Sequence, residues 1–299
     1  MRRLSTIAAL GAALALTLSA CGSDSDSDSA GDGPNLTGFD TSGIEKVDEI
    51  ADMVPDSVAA DGKLTIGTNI YYAPAEFYDT DGKTPIGYDI DMMKALAAVM
   101  GLEADIQQAE FAAIMPGIPG KFDMGIANIS VTTERQENFN MIPYFATGSS
   151  WAVVKDNPSD FDPSDICGTT VGVQIGTVQD DELAAMDFSS CDQAPDIQRY
   201  NEQSAVTTAV VGSKLDAMYA DSSVADYAVA QTSGQLETIG EPTGVVPIGI
   251  VVSADDAEFT EVTVAALQYL MDEGYLADIF SAWGIEDNVS TEALVNPVK

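Results

Sequence analysis

"GYDIDMMKALAAVM", residues 87–100, decides how the rest of the chain is read. From Asp89 to Gly101 the pattern predicts one amphipathic helix. Asp89 and Asp91 place negative charge at its dipole-positive start, and Gly101 supplies the stop. The helix lies between two short segments of strand character, "KLTIGT" (63–68) and residues 103–108. Strand, helix and strand at this spacing predict a parallel pair joined by a crossover helix. Between the first strand and the helix, "FYDTDGKTPIGY" (77–88) reads as a hairpin around Asp81-Gly82. A helix over 111–117 and a strand over 122–127 continue the series.

A second series follows: strand 169–174, helix 177–186, strand 196–199, helix 202–212, strand 215–219 and helix 222–232. Two such series predict two α/β lobes, each on its own parallel sheet. The apolar stretches "SSWAVVK" (149–155) and "VVPIGIVV" (245–252) are expected to pass from lobe to lobe. Helices near 256–272 and 275–283 are expected to return to the first lobe. The division is residues 61–150 with 247–299 for lobe one and 151–246 for lobe two.

The chain begins with Arg2 and Arg3, an apolar run from Leu4 to Leu18, and Leu18-Ser19-Ala20-Cys21. The run is short for a membrane span and reads as a lipoprotein signal peptide, residues 1–20, removed before Cys21 is lipidated. A plain secreted protein is the alternative. Residues 21–60 then form the lipidated cysteine and a flexible tether or extension. Its first part, "GSDSDSDSAGDGPN" (22–35), has nothing to bury, and "IEKVDEIADMV" (44–54) is weakly amphipathic. Asp24, Asp26 and Asp28 are spaced like the start of a calcium loop. Ser29 and Asn35 stand where its glycine and closing glutamate belong, so no metal is expected there.

The chain has 48 acidic and 12 basic residues, a net charge of −36. Such a surface repels nucleic acid and anionic membrane, so neither is a partner apart from the lipid on Cys21. Histidine is absent, which removes imidazole metal sites and His-assisted nucleophiles. No cofactor is expected. Beyond Cys21 the cysteines are Cys167 and Cys191, and in an exported chain they are expected to form a disulfide, two buried thiols being the alternative.

In open α/β sheets ligands sit beyond the carboxyl ends of strands, so the strand exits carry the candidate chemistry. They are "NIYYAPAEF" (69–77), "AEFAAIMPG" (109–117), "NISVTTER" (128–135) and Asp221. Arg135 is notable because, beyond the N-terminal pair, the chain's arginines are Arg135 and Arg199. A guanidinium presents a planar pair of donors that fits a carboxylate. A surface pairing with Glu134 or Glu137 is the competing role.

Residues 87–100, the "YAP" of 72–74, "KFDMGIANISVTTERQENFNMIPYF" (121–145), "ICGTTVGVQIGT" (166–177) and "KLDAMYADSSVADYAV" (214–229) together resemble the extracytoplasmic solute-binding proteins, family 3, that feed polar amino acids to ABC importers. The resemblance covers about residues 61–285. It implies a periplasmic-binding-protein-like fold of type II, with two α/β lobes joined by two hinge strands and a ligand cleft between them. It also implies a free amino acid as ligand, an ABC permease as partner, a monomer, and no catalysis.

On these positions Arg135 would take the ligand α-carboxylate, with Ser130 and the amides of Thr177 and Val178 as further donors. Asp221 would accept the α-ammonium, helix capping being its rival role. Tyr72 and Phe111 would sandwich the side chain, with core packing the alternative for Phe111. Asn69 and Asn128 would meet polar side-chain groups. Members selecting cationic side chains commonly carry an aspartate where this chain has Asn69, a phenylalanine where it has Ala75, and Ser or Thr pairs where it has Ala127-Asn128. The ligand's side chain therefore stays open, Gln174 and Glu76 being further candidates to meet it. An enzyme on this fold, with Glu76 or Asp221 as acid or base, and an amino-acid-sensing receptor module stay open as other readings.

Overall fold

The computed structural model describes residues 38–285 and 287–299. The signal segment, Cys21 and the tether up to residue 37 lie outside the described residues. In chain order the elements are a 3-10 turn Thr41–Gly43, α1 Asp48–Ala51, α2 Asp56–Ala59, β1 Lys63–Thr68, β2 Phe77–Tyr78, β3 Pro85–Ile86, α3 Tyr88–Val99 and β4 Glu103–Gln108. Then come α4 Phe111–Ile114 with a 3-10 turn Met115–Gly117, β5 Met124–Gly125, α5 Thr133–Gln136 and β6 Phe139–Val154. The middle of the chain adds β7 Thr170–Gln174, α6 Val178–Ala185, β8 Asp196–Tyr200, α7 Gln203–Val211, β9 Ala217–Asp221 and α8 Ser222–Gln231. It closes with β10 Leu236–Ser253, α9 Ala257–Asp272 and α10 Tyr275–Ala282.

Strand order is β4-β1-β5-β10-β6-β9-β7-β8. At one end β1 pairs in parallel with β4 and β5; at the other β7 pairs in parallel with β8 and β9. The two halves share only β6 and β10, which run antiparallel over nearly their whole length. The late part of β6, Ser149 to Val153, pairs with β9, whereas Val251 and Val252 of β10 pair with β5. One strand pair thus serves both lobes. Its register breaks between Ile239 and Thr243, Thr243 and Val246, and Ile248 and Gly249, and such breaks let a sheet bend. The crossing stretches expected at 149–155 and 245–252 are parts of these two longer strands.

The first lobe's core is built around α3. Its sequence suggests an amphipathic helix, yet ten of its twelve residues are buried, Asp89 and Asp91 among them, which makes it a core helix. One side meets β1 and β4, another α9 and α10, and the N-terminal segment covers more of it. Ile44, Ile50 and Val58 are buried in the same cluster, Val47 N–H donates to Val99 O at 3.1 Å, and Phe39 N–H donates to Asp91 at 2.9 Å. Residues 38–59 are therefore packed against this lobe. Behind the sheet a second apolar layer gathers Ile114, Ile118, Phe122, Ile129 and Met141.

The second lobe packs Val171, Val173, Leu183 and Tyr219 on one face of its sheet and Val206, Val210, Leu215 and Met218 on the other. Cys167 and Cys191 are disulfide-bonded, 24 residues apart, with 5.5 Å between their Cα atoms. Closing a loop of that length removes denatured-state entropy worth about 3.5 kcal/mol.

Candidate functional site

β5 ends at Gly125, and the chain turns through Asn128 and Ser130 into the single turn of α5. Thr132 caps that turn, its hydroxyl accepting from Arg135 N–H at 3.2 Å, which fixes the backbone carrying the guanidinium. Arg135 Nη1 donates to Ser130 O at 2.8 Å and Nη2 to Gly176 O at 3.0 Å, so it touches both lobes. Its Cζ lies 5.9 Å from the centre of the Phe111 ring. Among the described residues the ion pairs are Lys46–Asp48, Lys94–Asp91, Lys155–Glu237 and Arg199–Asp180, and Arg135 enters none of them. Burial lowers its pKa, opposed by the charges of Asp181, Asp221 and Glu134, and the guanidinium keeps its proton regardless.

Asp221 ends β9 at the start of α8. Its side chain makes no capping hydrogen bond, so that rival role falls away. Instead Oδ2 accepts from Tyr72 Oη and Asn128 Nδ2, both at 2.7 Å, and Oδ1 accepts from Gln179 Nε2 at 2.9 Å. Burial raises the Asp221 pKa, while these three hydrogen bonds and the Arg135 charge pull it back. A carboxylate with three donors is held in place and largely compensated.

Gly176, at φ +80°, lets the chain turn into α6, where Thr177 is the cap: its hydroxyl accepts from Asp180 N–H at 3.2 Å and donates to Gln174 O at 2.9 Å. The first N–H groups of that helix have no intrahelical carbonyl to bond and favour an anion.

Tyr72, Phe111, Asn128, Ser130, Arg135, Thr177, Val178, Gln179 and Asp221 line one small cavity of about 10 Å³, room for about one water molecule. A guanidinium without an acidic partner and a fixed carboxylate thus share a single enclosure. Eight of the nine residues expected from the sequence line it. The ninth, Asn69, does not: its Nδ2 donates to Ala109 O at 2.8 Å and its Oδ1 accepts from Gln174 Nε2 at 3.0 Å. Asn69 and Gln174 therefore tie β1's exit to β7's. Glu76 is fully buried away from the cavity, so it is available neither to a ligand cation nor as an acid or base.

Gln179 lines the cavity but was not foreseen. Its only signal is its place in the first turn of α6, where side chains lie beside the amides already singled out. A larger cavity nearby, of about 340 Å³, is lined by rings and aliphatic groups of Tyr71, Phe77, Tyr227 and Val224 among others. It carries no charged side chain and offers nothing to grip the poles of an amino acid.

The family model of the bacterial extracellular solute-binding proteins, family 3, matches residues 64–286. The arginine-binding protein ArgT of Corynebacterium glutamicum is 34% identical over 267 residues, which is 88% of this chain and 87% of that protein. Among solved structures, a mutant of ArgBP from T. maritima superposes with a TM-score of 0.71 at 28% identity, covering 77% of this chain and 98% of that one. An ancestral arginine-binding protein bound to arginine gives a TM-score of 0.68 at 28% identity, covering 74% and 98%.

Proposed function

Because the chain belongs to the bacterial extracellular solute-binding proteins of family 3, we propose that the cavity between Arg135 and Asp221 holds a free L-amino acid for delivery to an ABC permease. The observation that carries this reading is the pairing of an unneutralised guanidinium with a fixed carboxylate across one small enclosure. Arg135, Ser130 and the first amides of α6 meet the ligand carboxylate. Asp221 meets its ammonium, and Tyr72 and Phe111 flank its side chain. Arg135 and Ser130 come from lobe one, residues 61–150 with 247–299; Asp221, Thr177 and Val178 come from lobe two, residues 151–246. A zwitterion is gripped at both poles only when the lobes approach, which gives closure its driving force.

L-Arginine is the first ligand to test. The compared proteins carry arginine in their names, and two rings can hold a guanidinium by their π faces. The cavity lining offers no second carboxylate, so an amide oxygen such as that of Gln179 replaces the acid that a cationic side chain otherwise meets. The chain acts in this reading as an exported monomer, lipid-anchored through Cys21, and leaves its ligand chemically unchanged. Asp221 is the one acid in the lining and is already engaged by three donors, which leaves no free acid–base pair for turnover.

Screening the exported protein by thermal shift against the twenty common L-amino acids tests this. One or a few of them should stabilise it, by about 2.7 kcal/mol at a concentration 100 times the Kd. Mass spectrometry should recover them intact. No stabilisation by any amino acid, or turnover of one, would defeat the reading.

A further inference from the structure

Behind the cavity, on the side of lobe one, lies a chain of hydrogen bonds between side chains that meet no solvent. Asn128, whose amide reaches Asp221, sits at φ +47°, a left-handed conformation that needs support. Asp89 supplies part of it, its Oδ2 accepting from Asn128 N–H at 2.8 Å, while Tyr88 Oη donates to Asn128 Oδ1 at 2.8 Å. The other oxygen of Asp89 accepts from Tyr144 Oη at 2.8 Å. Beside Asp89 lies Glu76, 0% exposed, and among the described residues no donor reaches either of its carboxyl oxygens. The polar group it does meet is the Asp89 carboxyl, itself an acceptor.

Two facing acceptors, both out of water, need a proton between them. An ionised Glu76 without a single donor would be an uncompensated buried charge, and carboxyls so placed neutralise instead. The arrangement is built by the backbone. Gly87, at φ +135°, comes so close to residues 74 and 75 that a Cβ there would stand 2.0 Å from Ala75 O. Tyr88 and Asp89 N–H then bond the carbonyls of Pro74 and Ala75, which brings the start of α3 against the residues leading into Glu76.

We propose that Glu76 and Asp89 act as a carboxyl pair holding one proton, and that this pair positions Asn128, and through it Asp221, for the ligand's ammonium. The Glu76 O–H donates to Asp89, leaving the Asp89 carboxylate free to accept from Asn128 and Tyr144. Removing the proton sets two negative charges against each other beneath Asn128 and releases its strained backbone. The groups facing the pair are Tyr88 on α3, Tyr144 on β6 and Asp221 on β9, so no titratable neighbour among them brings a positive charge to replace the proton.

The direction of titration agrees. Burial, then the charge of Asp89, raises the Glu76 pKa well above the usual carboxylate range, and burial raises that of Asp89 to about 6. Both folded values exceed the unfolded ones. The pair's contribution to stability is therefore greatest below the ordinary carboxylate range and is lost as pH rises through the folded values. Above about pH 6 Asp89 is ionised, and the remaining loss belongs to Glu76.

The proposal rests on the assignment of Asp221 to the ligand ammonium, and three measurements separate the two ideas. Infrared spectra of the ligand-free wild-type protein at pH 8 should show a buried carboxylic-acid carbonyl band, and its absence would overturn the pair. Melting temperature without ligand should fall more between pH 6 and 9 for wild type than for Glu76→Gln, whose amide donates to Asp89 at every pH. Parallel curves would also overturn it. For L-arginine binding by calorimetry, Glu76→Gln should stay within about threefold of wild type at pH 7. Wild type should weaken at least tenfold more than the variant over the pH range in which the infrared band is lost. The ligand's own ammonium titrates alike in both, so only the difference counts, and superimposable profiles would refute the positioning role. If wild type binds no amino acid at all, the reading of Asp221 fails together with the positioning role, while the infrared band and the melting curves still decide whether the one-proton pair exists.

Discussion

Replacing Arg135 with alanine removes the guanidinium that, in the proposed function, pairs with the ligand carboxylate. Its two terminal nitrogens reach Ser130 O and Gly176 O at 2.8 and 3.0 Å, and among the described residues no acid lies within ion-pair distance. The guanidinium is thus partly buried, with the charges of Asp181, Asp221 and Glu134 acting on it from beyond ion-pair distance. A bidentate pairing with a ligand carboxylate would supply what is missing, and truncating one partner of such a desolvated pair costs about 2 to 5 kcal/mol. That corresponds to about 30-fold to several thousand-fold in affinity. Part of the loss comes from the Gly176 contact, which joins the lobes. Arg135→Lys apportions it, because lysine keeps the charge but not the planar pair of donors. Titration calorimetry with the best ligand of the screen, on wild type and both variants, gives the three dissociation constants. Arg135→Ala should be weakest and Arg135→Lys intermediate. A loss below threefold for Arg135→Ala would mean that the ligand's anion lies elsewhere, and the assignment of the site would fall.

Asp221→Asn keeps the shape of the carboxylate and removes its charge, so it should weaken binding at least 30-fold, or about 2 kcal/mol, by the same calorimetry. Gly87→Ala forces a Cβ against Ala75 O in a backbone conformation that L-residues avoid; it should lower the melting temperature of the ligand-free protein by more than any variant at the cavity wall. Reducing the Cys167–Cys191 bond, or replacing both cysteines with serine, should cost about 3.5 kcal/mol in denaturant unfolding and leave ligand affinity within about twofold. Asn69→Ala should weaken every ligand by a similar factor, about 5- to 30-fold, because it breaks a tie between lobes rather than a contact with one side chain.

The strand exits were legible because parallel βαβ units put their loops on one side, and residues such as Arg135 and Asp221 have few other uses there. Asn69 stands at the same kind of exit, yet its side chain turns to the Ala109 carbonyl, a choice set by a neighbouring segment 40 residues away. Helix α3 was located correctly and its surroundings were not. Ile44, Ile50 and Val58 cover it from a segment too sparse in apolar residues to announce a core role. The long strands β6 and β10 were seen only in part, because Pro143, Gly148, Pro242 and Pro247 interrupt the alternation that marks a strand. Those interruptions belong to the hinge: the register of the pair shifts between Ile239 and Gly249. The expected strand 122–127 shrinks to Met124–Gly125, since pairing with β1 holds only at Ile66 and Gly67.

The hydrogen bonds that cross between the lobes concentrate on the cavity. Tyr72 and Asn128 donate to Asp221, Arg135 donates to Gly176, Gln174 donates to Asn69, and just outside Ser204 N–H donates to Tyr71 O. Affinity and closure are therefore coupled, because Tyr72, Asn128, Arg135 and Asp221, which would contact the ligand, also hold the opposite lobe. Most of these bonds end on groups that a zwitterion also uses: Asp221 for its ammonium, and Arg135 for its carboxylate. A ligand that satisfies both poles strengthens the junction, whereas one lacking either pole leaves a buried charge unanswered and pays its desolvation. In the proposed function, selection for the amino-acid backbone would thus follow from the junction itself. Selection among side chains is left to the few cavity groups outside it, the ring of Phe111 and the first turn of α6.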